Sequence, residues 1–202
     1  MTKVKLCGLS RIQDIDTVNE FRPEYIGFVF AKKSRRYVSP EQAAKLKERL
    51  HPEIQAVGVF VDEEPEVVAD LIRNNIIDMV QLHGTEDEDY IKKLRIFTDR
   101  PIIQAFRIVT KEDIKKAEAS LADYILLDSG AGTGTVFDWE LIQNLKRPYF
   151  LAGGLDNSNV EEAVRKLEPF AVDVSSGIET GGIKDKEKMA EFVTAVRKEE
   201  TI

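Results

Sequence analysis

Cysteine, histidine and tryptophan are scarce in this sequence: 202 residues contain one, two and one of them respectively. A single cysteine excludes a disulfide within the chain. Two histidines, with no clustered Cys, His and carboxylate spacing, argue against a structural or catalytic metal centre. No apolar run approaches the roughly 18 residues of a membrane span. The N-terminus lacks a basic segment leading into an apolar one, so no secretory leader is expected. Basic residues are outnumbered, 29 Lys and Arg against 36 Asp and Glu, for a formal charge of −7. Their densest cluster is Lys32-Lys33-Ser34-Arg35-Arg36, short of the basic stripe of a nucleic-acid binder. Neither nucleic acid nor membrane is therefore an expected partner, and a reducing cytoplasm suits the lone thiol. No Pro/Gly/Ser-rich linker or shift in composition divides the chain, so residues 1–202 are expected to form one domain.

What is present is a repeat. Short apolar or β-branched runs lie at Val4-Leu6, Tyr25-Phe30, Ala56-Val61, Met79-Leu82, Ile102-Phe106, Tyr124-Leu127, Tyr149-Leu151 and Ala171-Val174. Their starts are about 20 to 30 residues apart, room for one strand, one loop and one helix of about three turns. Helix-start signals fall between them. Ser39-Pro40 pairs a cap with a proline at the first helical position. Thr85-Glu86-Asp87-Glu88 and Thr110-Lys111-Glu112-Asp113 read as a capping box and a variant of one. Ser10 reads as a cap for the first helix, and Asn157 or Ser158 as one for a helix through Leu167. Parallel strands need helical crossovers that bury both sheet faces. Eight such units predict an α/β fold closed into a (β/α)8 barrel, the TIM-barrel architecture, with an open doubly wound sheet as the alternative.

Barrel chemistry sits at the carboxyl ends of the strands, where this chain places Cys7, His83, Arg107, Asp128, Gly153-Gly154 and Ser175-Ser176-Gly177. Cys7 reads either as a small buried hydrophobe or as a general base or nucleophile. In the second reading, backbone N–H groups and the positive helix end hold its pKa below the ordinary value of about 8.5. Asp128 is either a loop cap or a carboxyl group placed to donate a proton across the barrel mouth from Cys7. The loops at Gly153-Gly154 and Ser175-Ser176-Gly177 suit a phosphate bound by backbone N–H groups, serine hydroxyls and a short helix terminus. Gly132-Thr133-Gly134 lacks the full dinucleotide fingerprint. Arg36 is a candidate for a carboxylate ligand, and His83 is either catalytic or bonded to its own loop. His51, before Pro52, is expected at the surface.

Taken in order, Lys5-Leu6-Cys7-Gly8-Leu9-Ser10-Arg11, Gly27-Phe28-Val29-Phe30, Ser34-Arg35-Arg36-Tyr37-Val38, Val80-Gln81-Leu82-His83-Gly84, Leu126-Leu127-Asp128, Leu151-Ala152-Gly153-Gly154-Leu155 and Val172-Asp173-Val174-Ser175-Ser176-Gly177-Ile178-Glu179 resemble the phosphoribosylanthranilate isomerase family. The resemblance runs from Lys5 nearly to the C-terminus. It departs at Ser34-Arg35-Arg36, where the family usually has Ser-Pro-Arg, and at Ala131-Gly132, in a shortened loop where a double glycine is common.

The resemblance implies a cofactor-free and metal-free isomerisation of a small phosphorylated substrate in tryptophan biosynthesis. Asp128 would be the general acid and Cys7 the general base. Arg36 would hold the anthranilate carboxylate, and Gly153, Gly154, Ser175, Ser176 and Gly177 the phosphate; His83 stays a candidate for a further substrate contact. A monomer and a homodimer are both compatible. The rival readings are a related phosphosugar isomerase, a lyase acting on an indole-glycerol phosphate, and a catalytically silent phosphate binder.

Overall fold

The computed structural model describes residues 1–128, 139–142 and 145–198. Each of the eight apolar runs is a strand, with ends displaced by one residue at most. They are β1 Lys3–Cys7, β2 Tyr25–Val29, β3 Gln55–Phe60, β4 Met79–Leu82, β5 Ile102–Arg107, β6 Tyr124–Asp128, β7 Tyr149–Leu151 and β8 Ala171–Val174. All pair in parallel with their sequence neighbours, and β1 pairs with β8 to close the barrel. Closure sets aside the open-sheet alternative. Helices α1 Ile12–Phe21, α2 Pro40–Arg49, α3 Pro65–Arg73, α4 Glu88–Phe97, α5 Lys111–Ala119, α6 Val160–Leu167 and α7 Lys186–Lys198 follow strands, and a single 3₁₀ turn covers Trp139–Ile142. None of the described helices is long and apolar enough to cross a membrane.

Two-residue alternation sorts the strand side chains. Val4, Leu6, Ile26, Phe28, Val80, Leu82, Ile125, Leu127, Val172 and Val174 pack outward into the main core with the helix stripes. Tyr25, Val57, Met79, Ile103, Leu126, Phe150 and Ala171 fill the barrel interior. Cys7, Val29 and Val59 form a small apolar layer above them.

Several helix starts differ from expectation. The N-cap of α1 is Arg11, because the Asp14 carboxylate reaches back to the N–H groups of Ser10 and Arg11, both at 3.0 Å. Ser10 therefore does not cap. α4 begins two residues later than the Thr85 box predicts, capped by Asp87, whose carboxylate accepts from Tyr90 N. Glu86 bonds instead to the N–H groups of Asp62 and Gly84. α6 is capped at Asn159, since Asp156 holds Ser158 in a turn before it. Ser39 and the Thr110–Asp113 box cap as expected. After β8 the chain forms a hairpin, β9 Glu179–Thr180 with β10 Ile183–Lys184, that the sequence reading does not contain. The glycine-rich segment Gly132-Thr133-Gly134 lies outside the described residues.

Candidate active site

At the carboxyl ends of the strands a cavity of about 590 Å³ is lined by Cys7, Arg36, His83, Asp128, Gly153-Gly154 and Ser175-Ser176-Gly177. All nine candidate site residues thus face one space. Arg107, at the end of β5, is exposed and outside that lining. His51 is half-buried, its Nδ1 lying 3.7 Å from Glu53. No group of three or more His, Cys, Asp and Glu among the described residues is arranged to hold a metal ion.

Cys7 is the last residue of β1, opposite Gly27 of β2 in the register. A Cβ at Gly27 would lie 2.6 Å from the Cys7 Sγ, so glycine there gives the sulfur its place. Cys7 is 7% exposed, and burial pushes its thiol pKa above the ordinary value, against the pull of Lys5 and Lys184 toward the thiolate. The sequence reading expected the opposite direction. It fails because the backbone donors it relied on are engaged elsewhere. Gly8 N and Leu9 N both donate to Gly27 O, at 2.9 and 3.1 Å, and Ser10 N and Arg11 N to Asp14. The positive charge near the sulfur comes from lysines.

Asp128 ends β6, and its carbonyl accepts from Ile108 N. Its Oδ2 lies 3.7 Å from His83 Nε2, and His83 Nδ1 lies 3.0 Å from the amide nitrogen of Gln81. Gln81 is buried, and its Oε1 has no hydrogen-bond partner among the described residues.

Arg36 donates from Nε and Nη2 to the two carboxylate oxygens of Glu179, at 2.6 and 3.0 Å. Arg35 Nη2 and Lys184 Nζ donate to the same carboxylate, at 2.7 and 2.8 Å. Burial would raise the Glu179 pKa, but Arg36 and Lys184 outweigh it and hold the carboxyl below the ordinary range. The Lys184 ammonium is pulled down by burial more than Glu179 restores it, as expected where one carboxylate is shared by several cations. A guanidinium has five N–H donors. The fork on Glu179 therefore orients Arg36 without exhausting it.

The loops after β7 and β8 are fastened to each other at a bridge between Asp156 and Gly177. A Cβ at Gly177 would come within 2.1 Å of Leu155 O, so only glycine permits this approach. Gly153 and Gly154 have φ of 85° and 67°, the left-handed region that glycine adopts without strain. Ser175 Oγ donates to Cys7 O at 3.1 Å, and Lys184 Nζ donates to Ser175 O at 2.8 Å. The expected short helix terminus is absent from the stretch after β8, because the hairpin takes its place and brings Lys184 to this wall. Asp156, also on the wall, turns its Oδ1 to Ser158.

Gln81 and Asp173 also line the cavity, and Lys5, Glu179 and Lys184 stand behind its lining residues; none of the five is a site candidate in the sequence reading. Lys5, Gln81 and Asp173 carry a signal, since each is polar at an interior position of an apolar strand. Glu179 and Lys184 carry none before the hairpin is known.

A family model described as N-(5'-phosphoribosyl)anthranilate (PRA) isomerase matches residues 4–195. A protein of that name from Endomicrobium trichonymphae is 43% identical over 202 residues, 98% of this chain and 99% of the relative. Among solved structures, a phosphoribosyl anthranilate isomerase in complex with reduced 1-(o-carboxyphenylamino)-1-deoxyribulose 5-phosphate superposes with a TM-score of 0.86 at 36% identity, over 98% of this chain and 100% of the other. A structure of monomers generated from the dimeric enzyme of Thermotoga maritima gives 0.87 at 37% identity, with the same coverage.

Proposed function

The chain belongs to the N-(5'-phosphoribosyl)anthranilate isomerase family, and on that premise we propose the reaction it carries out: the Amadori rearrangement of N-(5-phosphoribosyl)anthranilate to 1-(2-carboxyphenylamino)-1-deoxyribulose 5-phosphate. In this reading Asp128 protonates the ribose ring oxygen and the ring opens to a protonated imine. Cys7, as thiolate, takes the proton from C2′. The resulting enolamine tautomerises to the ketone. The positive imine nitrogen acidifies the neighbouring C–H, so no step requires a metal or a cofactor. Each well-placed acid or base typically contributes about 10²- to 10⁴-fold.

Arg36 pairs with the anthranilate carboxylate, and Gly153, Gly154, Ser175, Ser176 and Gly177 hold the phosphate. His83, beside Asp128, contacts the substrate or orients that carboxyl. Two anchored ends hold the sugar between acid and base, the arrangement from which proximity derives its effect. We take residues 1–202 as one catalytic unit working in the cytoplasm, on a small phosphorylated substrate. The observation that carries the reading is that Cys7 and Asp128 line one cavity together with both anchoring groups.

Cys7→Ala and Asp128→Asn are each expected to lower kcat by at least about 10²-fold while keeping affinity for a reduced product analogue. Fluorescence loss of phosphoribosylanthranilate reads the rate and calorimetry the affinity. Near-normal kcat in either variant removes that residue from the mechanism. An assay on indole-glycerol phosphate alongside separates the lyase alternative.

A further inference from the structure

Lys5 is fully buried, at 0% exposure, inside the barrel. Its Nζ donates to Asp173 Oδ1 at 2.9 Å. The two residues face each other across the β1–β8 seam in the register. An apolar pair of similar volume would close that seam without the large desolvation cost of two ions, so stability alone does not account for the pair. Its position does. Lys5 lies two residues before Cys7 on the same strand, which puts both side chains on the interior face, and Asp173 lines the reaction cavity with Cys7.

We propose that Lys5, held by Asp173, is a positioning residue for the isomerisation: its ammonium is the counter-charge that lets Cys7 carry negative charge in a closed interior. This rests on the reading of Cys7 as the base. A buried thiol left to itself stays protonated, which makes a poor base. A fixed cation beside it offsets the desolvation of the thiolate. Asp173 has a double effect. It keeps the buried Lys5 charged, since burial would lower the lysine pKa and Asp173 and Cys7 together hold it up. Its own charge meanwhile opposes the thiolate.

The other charged group acting on the sulfur is Lys184 from β10, backed by Glu179, while Arg36, from the loop after β2, stands on the cavity wall. His83 and Asp128 stand on the cavity wall from β4 and β6. Lys184 contributes in the same direction as Lys5 but is shared with Glu179 and Ser175. Lys5 is bonded to Asp173 across the seam and acts on Cys7 directly, by charge and by a side-chain hydrogen bond.

The direct charges of the two members thus push the thiol in opposite directions, and that is testable. Cys7 is the chain's single cysteine, so the pH dependence of alkylation by iodoacetamide in the whole protein reads this group alone. Lys5→Met is expected to raise the alkylation midpoint by at least about one pH unit, roughly a tenfold loss of thiolate below the midpoint. The ascending limb of kcat/KM against pH should move with it. Asp173→Asn is expected to lower the midpoint, because Lys5 then has the thiolate as its remaining counter-ion.

A midpoint within about 0.3 unit of wild type in folded Lys5→Met, or shifts of the same sign in both variants, overturns the proposal. If Lys5→Met does not fold, Asp173→Asn decides: a lower midpoint upholds the proposal and an unchanged or higher one overturns it. Alkylation needs no substrate. Opposed shifts in a protein that fails to isomerise phosphoribosylanthranilate would uphold Lys5 as counter-charge and sink the isomerase reading. Unshifted midpoints in an active enzyme do the reverse.

Discussion

Glu179 is one carboxylate serving three cations, and its protonation sets how firmly the arginine loop after β2 is held. Its folded pKa is depressed by Arg36 and Lys184 against the effect of burial. A depressed carboxyl contributes stability that is fully present above its ordinary value of 4.5 and is lost as pH falls through the lower folded value. Glu179→Gln is therefore expected to cost about 3 kcal/mol or more at neutral pH, as removing one partner of a buried pair does. That deficit should shrink below pH 4.5 as the wild-type carboxyl protonates. Denaturant unfolding of both proteins at neutral and acid pH measures it, and a deficit that does not depend on pH would rule out the charge as its cause. At this scale the sequence singles out Cys7, Asp128 and Arg36, which the fold brings to one cavity. It does not show their partners, because Lys5 and Asp173 are 168 residues apart and meet only where the barrel closes.

Among the elements, strands were easier to read than helix ends. A strand in this fold is a short apolar run buried on both faces, so composition alone marks it. A helix end is decided by which side chain reaches the free N–H or C=O groups first, and neighbours such as Asp14 and Asp87 take precedence over the serine or threonine that the local pattern favours. The C-terminus of α5 is the clearest case of a distant partner. Arg147, from the segment before β7, donates through Nη1 to the carbonyls of Glu118 and Ser120 at 3.0 and 2.7 Å, and through Nη2 to that of Ala122 at 2.6 Å. Arg147→Met is expected to cost about 2 kcal/mol, the scale of hydrogen bonds made by a charged donor, with kcat unchanged because Arg147 does not line the cavity. Arg147→Lys should recover little, since one ammonium cannot reproduce the planar fork. Urea midpoints and turnover measured side by side check both variants.

For the whole molecule, closure is the step on which the site depends. β1 carries Cys7 and Lys5, β8 carries Asp173, and α7 packs against β1, α1 and α6 to hold the last unit to the first. Phe192 of α7 is fully buried in this junction. Phe192→Ala is expected to lose about 3–5 kcal/mol, a large share of the roughly 5–15 kcal/mol that keeps a protein folded. The loss should appear as a lower urea midpoint, and a midpoint unchanged from wild type would show that the closing helix is not needed for stability.

The sequence by itself determined the strands, the barrel and the residues at its mouth, because burial periodicity and strand-end position are local properties that a chain carries before it folds. Tertiary structure alone decided the charge environment of those residues: the pKa direction of Cys7, the hold of Glu179 on Arg36, and the hairpin that brings Lys184 behind Ser175. Those depend on distances between groups far apart in the chain and on how much water is excluded around them, and both are fixed only once the eighth strand meets the first.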